Sequence, residues 1–372
     1  MQKTIAVLPG DGIGEEVMEQ ALRVLVAISE QFGHGFNLKH GSVGGAAFEK
    51  FGSHFPEETK KLCEESDAIL FGSVGGPVAD MHLAKWKNCE ANSILAIRKA
   101  FGFNANFRPV RIYPQLGEIS PLRQDLIERG VDILFIRELL GDCYFGTHQT
   151  ELRNGRRYAC DLSEYTEEQI ASVARIAFDA ARRRKNKVTS VDKANVLDTS
   201  KLWRTVVSEI KSEYPDVHLE HMLVDNCAMQ IIRDPSQFDV VVTSNMFGDI
   251  LSDAAAVLPG SLGLLCSASL NPSGFALYEP PGGSAQDIAG QGIANPIAQI
   301  LSVAMLLRFS FGLNVEANAI EQAVETTLAN GYRTRDIYRG KSKLVGSVQM
   351  TDEILGNLST VGAKATLPVG TN

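Results

Sequence analysis

Apolar residues along this chain follow two alternating rhythms. Short unbroken apolar runs alternate with longer stretches in which apolar positions recur every third or fourth residue. Residues 4–8 read as a buried strand, and 15–30 as a helix with Val17, Ala21, Val24, Leu25 and Ile28 on one face. Further strands are predicted at 68–71, 105–112, 132–136, 187–191, 219–224 and 238–243. Helices are predicted at 93–101, 167–184, 200–213, 296–312 and 316–330. This is the grammar of an α/β protein with a largely parallel sheet. The longest apolar stretch, 297–311, is interrupted by Gln299, Ser302 and Arg308, which suits a buried helix rather than a membrane span.

At 372 residues the chain is too long for one comfortable core, so two domains are expected. Crossings near 107–109 and 259–260 suggest a discontinuous first domain, 1–107 with 259–364, and a second over 108–258. Residues 365–372 read as a loose tail. The polar stretch 151–164 holds an Asn154-Gly155 turn and reads as a protruding hairpin of the kind that clasps a partner subunit. The net charge of −8 argues against a nucleic-acid-binding surface. The short apolar run at residues 4–8 leads straight into a glycine-rich turn, so a signal peptide is not expected there. The cysteines (Cys63, Cys89, Cys143, Cys160, Cys227, Cys266) are scattered without a CxxC pair. Reduced thiols and a cytoplasmic enzyme are the expectation.

Gly10-Asp11-Gly12-Ile13-Gly14 sits between the first strand and the first helix. It resembles a dinucleotide fingerprint, but Glu15 occupies the place that requires a small residue, so a standard Rossmann site is disfavoured and a tight turn that starts a helix is the plainer reading. Asp249 and Asp253 stand four apart on a predicted helix, and Asp225 closes a strand. Carboxylates without His or Cys suit a hard cation, Mg²⁺ or Mn²⁺, although from spacing alone a solvated acidic face is the commoner meaning of such a pair. Arg98, Arg108 and Arg137 each follow an apolar run and could fork onto carboxylates, or form ordinary surface ion pairs. Tyr144 and Lys193 are candidates for acid and base.

Several long blocks in order carry a resemblance: NFRPVR, FIREL, DKANVL, SNMFGDILSDAAAVLPGSLGLL and GGSAQDIAGQGIANP. Over nearly its whole length the chain resembles the isocitrate/isopropylmalate dehydrogenase family of β-decarboxylating dehydrogenases. The resemblance implies two α/β domains sharing a large mixed sheet. It implies NAD-dependent oxidative decarboxylation of (2R,3S)-3-isopropylmalate to 4-methyl-2-oxopentanoate and CO₂, a step of leucine biosynthesis. A relative acting on tartrate, malate or a homoisocitrate-like substrate is the alternative, followed by a non-catalytic nucleotide-binding regulatory subunit.

By the same resemblance, Arg98, Arg108 and Arg137 would clamp the substrate carboxylates. Asp249 and Asp253 would hold Mg²⁺ or Mn²⁺ with Asp225 from the partner of a homodimer. Lys193, also from the partner, would take the C2 hydroxyl proton, and Tyr144 would protonate the enolate. Glu90, Ile94 and Leu95, with the partner's Val196, would meet the isopropyl group. Two loops would line NAD: Gly72, Ser73, Val74, Gly75, Gly76 and Pro77 in one, Gly282, Gly283, Ser284 and Ala285 in the other. Asp287 and Ile288 would read the adenosine ribose, and Asn295 the adenine. The hairpin 151–164 would be the intersubunit arm. Gln286 and Cys266 replace usual prolines, the first of which would loosen the cofactor loop, and Gly282 stands where some members carry His.

Overall fold

The computed structural model describes the backbone of residues 1–365 and the side chains of residues 1–358. Beyond residue 365 the expected loose tail lies outside the described residues. The chain divides into two compact units, one of Met1–Phe101, Gly260–Ala268 and Ser273 onward, the other of Gly102–Pro259 and Ser269–Pro272.

In the first unit, the strands Gly35–His40, Gln2–Gly10, Ala68–Ser73 and Ala276–Glu279 lie side by side in that order, all parallel. Ile5 to Leu8 are fully buried, as their unbroken apolar run predicts. The helix Ile13–Phe32 buries Val17, Ala21, Val24, Leu25 and Ile28 and stops at Gly33, whose φ of 71° is left-handed. The helix Ile297–Phe309 is buried at every residue from Ile297 to Leu307. Being apolar all round, it is enclosed by the helices Ile13–Phe32 and Asn314–Ala329 and by the sheet. Of its polar interruptions, Gln299 donates to the Phe71 carbonyl at 3.1 Å while its Oε1 is buried without a partner, and Ser302 donates to the Ala298 carbonyl at 2.9 Å. Among the described residues, no helix is long and apolar enough to cross a membrane.

In the second unit the strand order is Ala105–Arg111, Asp132–Glu138, Val240–Thr243, Lys187–Asp192, His218–Leu223. The first pair is antiparallel and the others parallel, so the sheet is mixed. The helix Glu167–Arg182 opens on a capping box between Thr166 and Gln169. The hairpin pairs His148–Arg153 with Arg156–Asp161 and so begins ahead of residue 151. Asn154 (φ 51°) and Gly155 (φ 75°) form its left-handed turn, the conformation that matches strand twist.

Three local expectations change. The stretch 93–101 is a π-helical turn, Ala91–Leu95, running into a short helix, Ala96–Ala100. Arg137 lies inside the strand Asp132–Glu138 rather than past it. Asp225 does not close a strand: the strand ends at Leu223, and Asp225 sits in the first turn of the helix Val224–Arg233.

Candidate active site

The second unit gathers five of the predicted residues. The helix Asn245–Ala256 carries Asp249 and Asp253 one turn apart. A Cβ on Gly248 would stand 2.7 Å from Arg137 Cγ, so only glycine lets this helix approach the strand that carries Arg137. Arg137, 3% exposed, donates from Nε to Asn245 Oδ1 at 2.9 Å and pairs through Nη1 with Asp249. Arg108 donates from Nε to Asn106 Oδ1 at 2.8 Å and from Nη1 to Ser252 Oγ at 2.8 Å. It also pairs with Asp253, and its Nη2 lies 3.5 Å from Asp249. The two guanidiniums therefore offset the repulsion that an isolated acid pair at this helical spacing would feel.

The Tyr144 hydroxyl donates to Asp249 Oδ2 at 2.9 Å, and the Arg137 guanidinium lies 5.4 Å from its ring. Burial and the bond to Asp249 push the phenol up to about 12, so it keeps its proton at neutral pH.

Lys193 and Asp225 form a second pair, Nζ to Oδ1 at 2.5 Å. The hydrogen bond from Lys193 holds the Asp225 carboxyl below its ordinary range. The Lys193 loop is fixed by buried Asp192, which accepts from the Ala194 amide at 2.9 Å and takes a two-pronged grip from Arg204 at 2.8 and 2.9 Å. Val196, on the same loop, is exposed. Among the described residues, no three His, Cys, Asp or Glu side chains come together to hold a metal. Within one chain, Asp225 is thus not brought to Asp249 and Asp253.

In the first unit, Arg98 is buried and donates from Nη2 to Glu279 at 3.1 Å, while its Nε is buried without a partner. Ile94 and Leu95 are half-buried in the π-helical turn and Glu90 is exposed just before it. The Gly-rich turn starts the first helix, and it also joins the two expected cofactor loops. The Asp11 amide donates to the Ser73 carbonyl at 2.7 Å, and the Ile13 amide to that of Ser284 at 2.8 Å. Side chains at Gly10 and Gly12 would strike those same carbonyls, at 1.9 and 2.0 Å. Sequence reading passed over Asp11, a buried carboxylate that accepts from the amides of Gly45, Ala46 and Gly75 at 2.9–3.0 Å. An acid inside a glycine-rich turn is the only local sign of such a role. The expected loosening at Gln286 is not found, because its Nε2 donates to the Gly75 carbonyl at 2.9 Å and ties one loop to the other.

A cleft of about 370 Å³ in this unit is lined by Ser73, Gly282, Gly283, Ala285, Ile288 and Asn295 from the expected set. Gly72, Val74, Gly75, Gly76, Pro77 and Ser284 do not line it, and Asp287 stands exposed between two residues that do. Sequence reading did not single out Ser261, Arg335 or Asp336 as cleft residues. Asp336 accepts from Asn295 Nδ2 at 3.0 Å and from the Ser261 hydroxyl, which fixes the Asn295 amide.

A fold of this class, with guanidinium, phenol and paired carboxylate in one unit and a glycine-walled cleft in the other, has clear relatives. The isocitrate/isopropylmalate dehydrogenase family profile matches residues 4–354. The 3-isopropylmalate dehydrogenase of Desulfotalea psychrophila is 54% identical over 96% of this chain and 100% of its own length. That of Geobacillus kaustophilus is 54% identical over 94% of each chain. Among solved structures, isocitrate dehydrogenase from Methylococcus capsulatus superposes with a TM-score of 0.83 at 33% identity, covering 96% of this chain and 99% of that one. This chain belongs to the isocitrate/isopropylmalate dehydrogenase family.

Proposed function

We propose that the chain oxidises and decarboxylates (2R,3S)-3-isopropylmalate to 4-methyl-2-oxopentanoate and CO₂, with NAD and Mg²⁺ or Mn²⁺, as a cytoplasmic step of leucine biosynthesis. The observation that carries this reading is the cluster of Arg108, Arg137, Tyr144, Asp249 and Asp253, which pairs anion-binding forks with metal-binding acids and a protonated phenol. Identity above 50% to enzymes named for this substrate supports the choice of substrate.

The all-oxygen donors Asp249 and Asp253, completed by Asp225 of the partner subunit, fit a hard divalent cation. When bound, that cation supplies Lewis-acid polarisation of the substrate oxygens and charge to stabilise the enolate. Arg98, Arg108 and Arg137 bind and orient the two carboxylates, and Arg108 and Arg137, which pair with Asp253 and Asp249 in the free chain, would turn their forks to the substrate in the loaded site. Lys193 of the partner subunit accepts the C2 hydroxyl proton. NAD supplies the hydride acceptor. Loss of CO₂ from the resulting β-keto acid leaves an enolate, and Tyr144 delivers its proton to C3. Half-buried Ile94 and Leu95, with exposed Val196 of the partner subunit, suit an isopropyl group better than a third carboxylate.

The 370 Å³ cleft takes the adenosine end of NAD, with Asn295 toward the adenine. The exposed Asp287 carboxylate accepts from free ribose hydroxyls and repels a 2′-phosphate. A homodimer is supported by the neighbouring helices Val224–Arg233 and Asn245–Ala256, which leave Met229, Ile232 and Ile250, with Val257 just past the second helix, all more than half exposed. The exposed hairpin is the second contact. Steady-state rates on a panel of 3-substituted malates with NAD and Mn²⁺ test the assignment: 3-isopropylmalate should give the highest kcat/KM. A preference for unsubstituted malate or tartrate would overturn it.

A further inference from the structure

Two buried carboxylates, Glu138 and Asp142, and the half-buried phenol of Tyr165 lie beside the acid cluster and take no part in the chemistry above. Glu138 is fully buried and accepts from the amides of Leu140 at 2.6 Å and Gly141 at 2.8 Å, and from the Tyr165 hydroxyl. That hydroxyl in turn accepts from the Asn245 amide at 2.9 Å. Asp142, 5% exposed, accepts on Oδ2 from the Met246 amide at 3.1 Å. On Oδ1 it accepts from the Cys143 amide and the Ser163 hydroxyl, each at 2.8 Å.

Asn245 and Met246 open the helix that carries Asp249 and Asp253. The first amides of a helix have no partner within it, and a side chain at the residue before the helix normally supplies one. Here that residue is Ser244, which makes no side-chain cap bond and whose hydroxyl is buried without a partner. The cap comes instead from far along the chain, from Tyr165 and Asp142. Asp142 also holds a φ of +70°, a left-handed conformation that is unfavourable for a non-glycine residue and persists where its surroundings demand it. The loop it anchors carries Tyr144, two residues on. The segment returning from the hairpin enters the same junction through Ser163 and through the Glu164 carbonyl, which accepts from the Asp142 amide at 3.0 Å.

We propose that Asp142 and Tyr165 are positioning residues: by capping the Asn245–Ala256 helix from the Tyr144 loop and the root of the hairpin, they hold the Tyr144 hydroxyl on Asp249. The assignment rests on Tyr144 as the proton donor. It makes the hairpin root, the loop of the acid and the helix of the metal-binding carboxylates one mechanical unit.

The test is a pair of double-mutant cycles in the intact enzyme. Asp142→Gly keeps the left-handed backbone and removes only the carboxylate. Tyr165→Phe removes only the hydroxyl, and serves if Asp142→Gly does not fold. Each alone should lower kcat about tenfold, the scale of one lost hydrogen bond to a positioned group, with a smaller change in KM. In a Tyr144→Phe background neither should lower kcat further, because the group they position is gone. The same fold-loss in both backgrounds would show general damage to the helix and overturn the proposal, as would wild-type kcat in both single variants. Wild-type turnover by Tyr144→Phe alone would overturn the donor role itself and this assignment with it. A slow Tyr144→Phe whose rate falls again on adding Asp142→Gly would leave the donor role standing and sink only the positioning role.

Discussion

Replacing Gly12 with alanine tests whether the glycine-rich turn serves the cofactor. Gly12 has φ 60° and ψ −126°, a region that alanine enters at a cost of roughly 1–2 kcal/mol. Its new Cβ would stand 2.0 Å from the Ser284 carbonyl oxygen, where an ordinary C···O contact is about 3.3 Å. The Ser284 backbone must therefore retreat by roughly 1 Å, and the bond from the Ile13 amide to that carbonyl, 2.8 Å long, is lost or stretched, for about 1 kcal/mol more. The total is about 2–3 kcal/mol. The displaced residue adjoins Gly282, Gly283 and Ala285 of the cleft wall. If about half of that cost falls on the loop's bound conformation, the Kd for NAD rises about tenfold. Fluorescence titration with NAD and a thermal melt should show that rise, together with a midpoint lowered by several degrees. Gly33→Ala is the control: φ is 71°, but its Cβ would meet nothing within 4 Å, so it should cost stability alone. An unchanged Kd for NAD in Gly12→Ala beside a lowered midpoint would refute the link between turn and cofactor; an unchanged midpoint would refute the steric argument itself.

Other outcomes follow from the same geometry. Asp253→Asn removes one of two adjacent carboxylates and should weaken Mn²⁺ binding more than tenfold in an electron paramagnetic resonance titration; unaltered binding would remove this helix from the metal site. Lys193→Ala should lower kcat by about 10²–10⁴ while sedimentation still shows the wild-type assembly, and near-normal turnover would end its role as base. Burial raises Glu138 from 4.5 to about 6 in the folded state. The folded state therefore binds this proton more tightly, and the associated stability is present in full below pH 4.5 and lost as pH rises through about 6. Against Glu138→Gln, which does not titrate, wild type should lose about 2 kcal/mol of relative stability across that window and none above it. A difference independent of pH across melts from pH 4 to 8 would contradict the buried carboxyl.

Much of this protein was legible in one dimension. The run 4–8 and the helix 15–30 were readable because burial on one face imposes a period set by the local backbone alone. Asn154-Gly155 announced its hairpin for the same reason, since only such residues enter a left-handed turn readily. The polar edge strand Gly35–His40 carried no such period, because a strand with a half-wet face has little to bury. Asp225 was misplaced by two residues, where strand gives way directly to helix.

The site divides along the same line. Residue types and their spacing named Arg108, Arg137, Tyr144, Asp249 and Asp253 as candidates, and the resemblance supplied their roles. That Arg137 faces Asp249, that Asp11 gathers three amides, and that Asp142 and Tyr165 cap a helix beginning at residue 245 was decided by tertiary structure alone. Each of these contacts joins residues far apart in the chain. Their partners are chosen by strand order and helix packing, which bring together side chains that no local period relates.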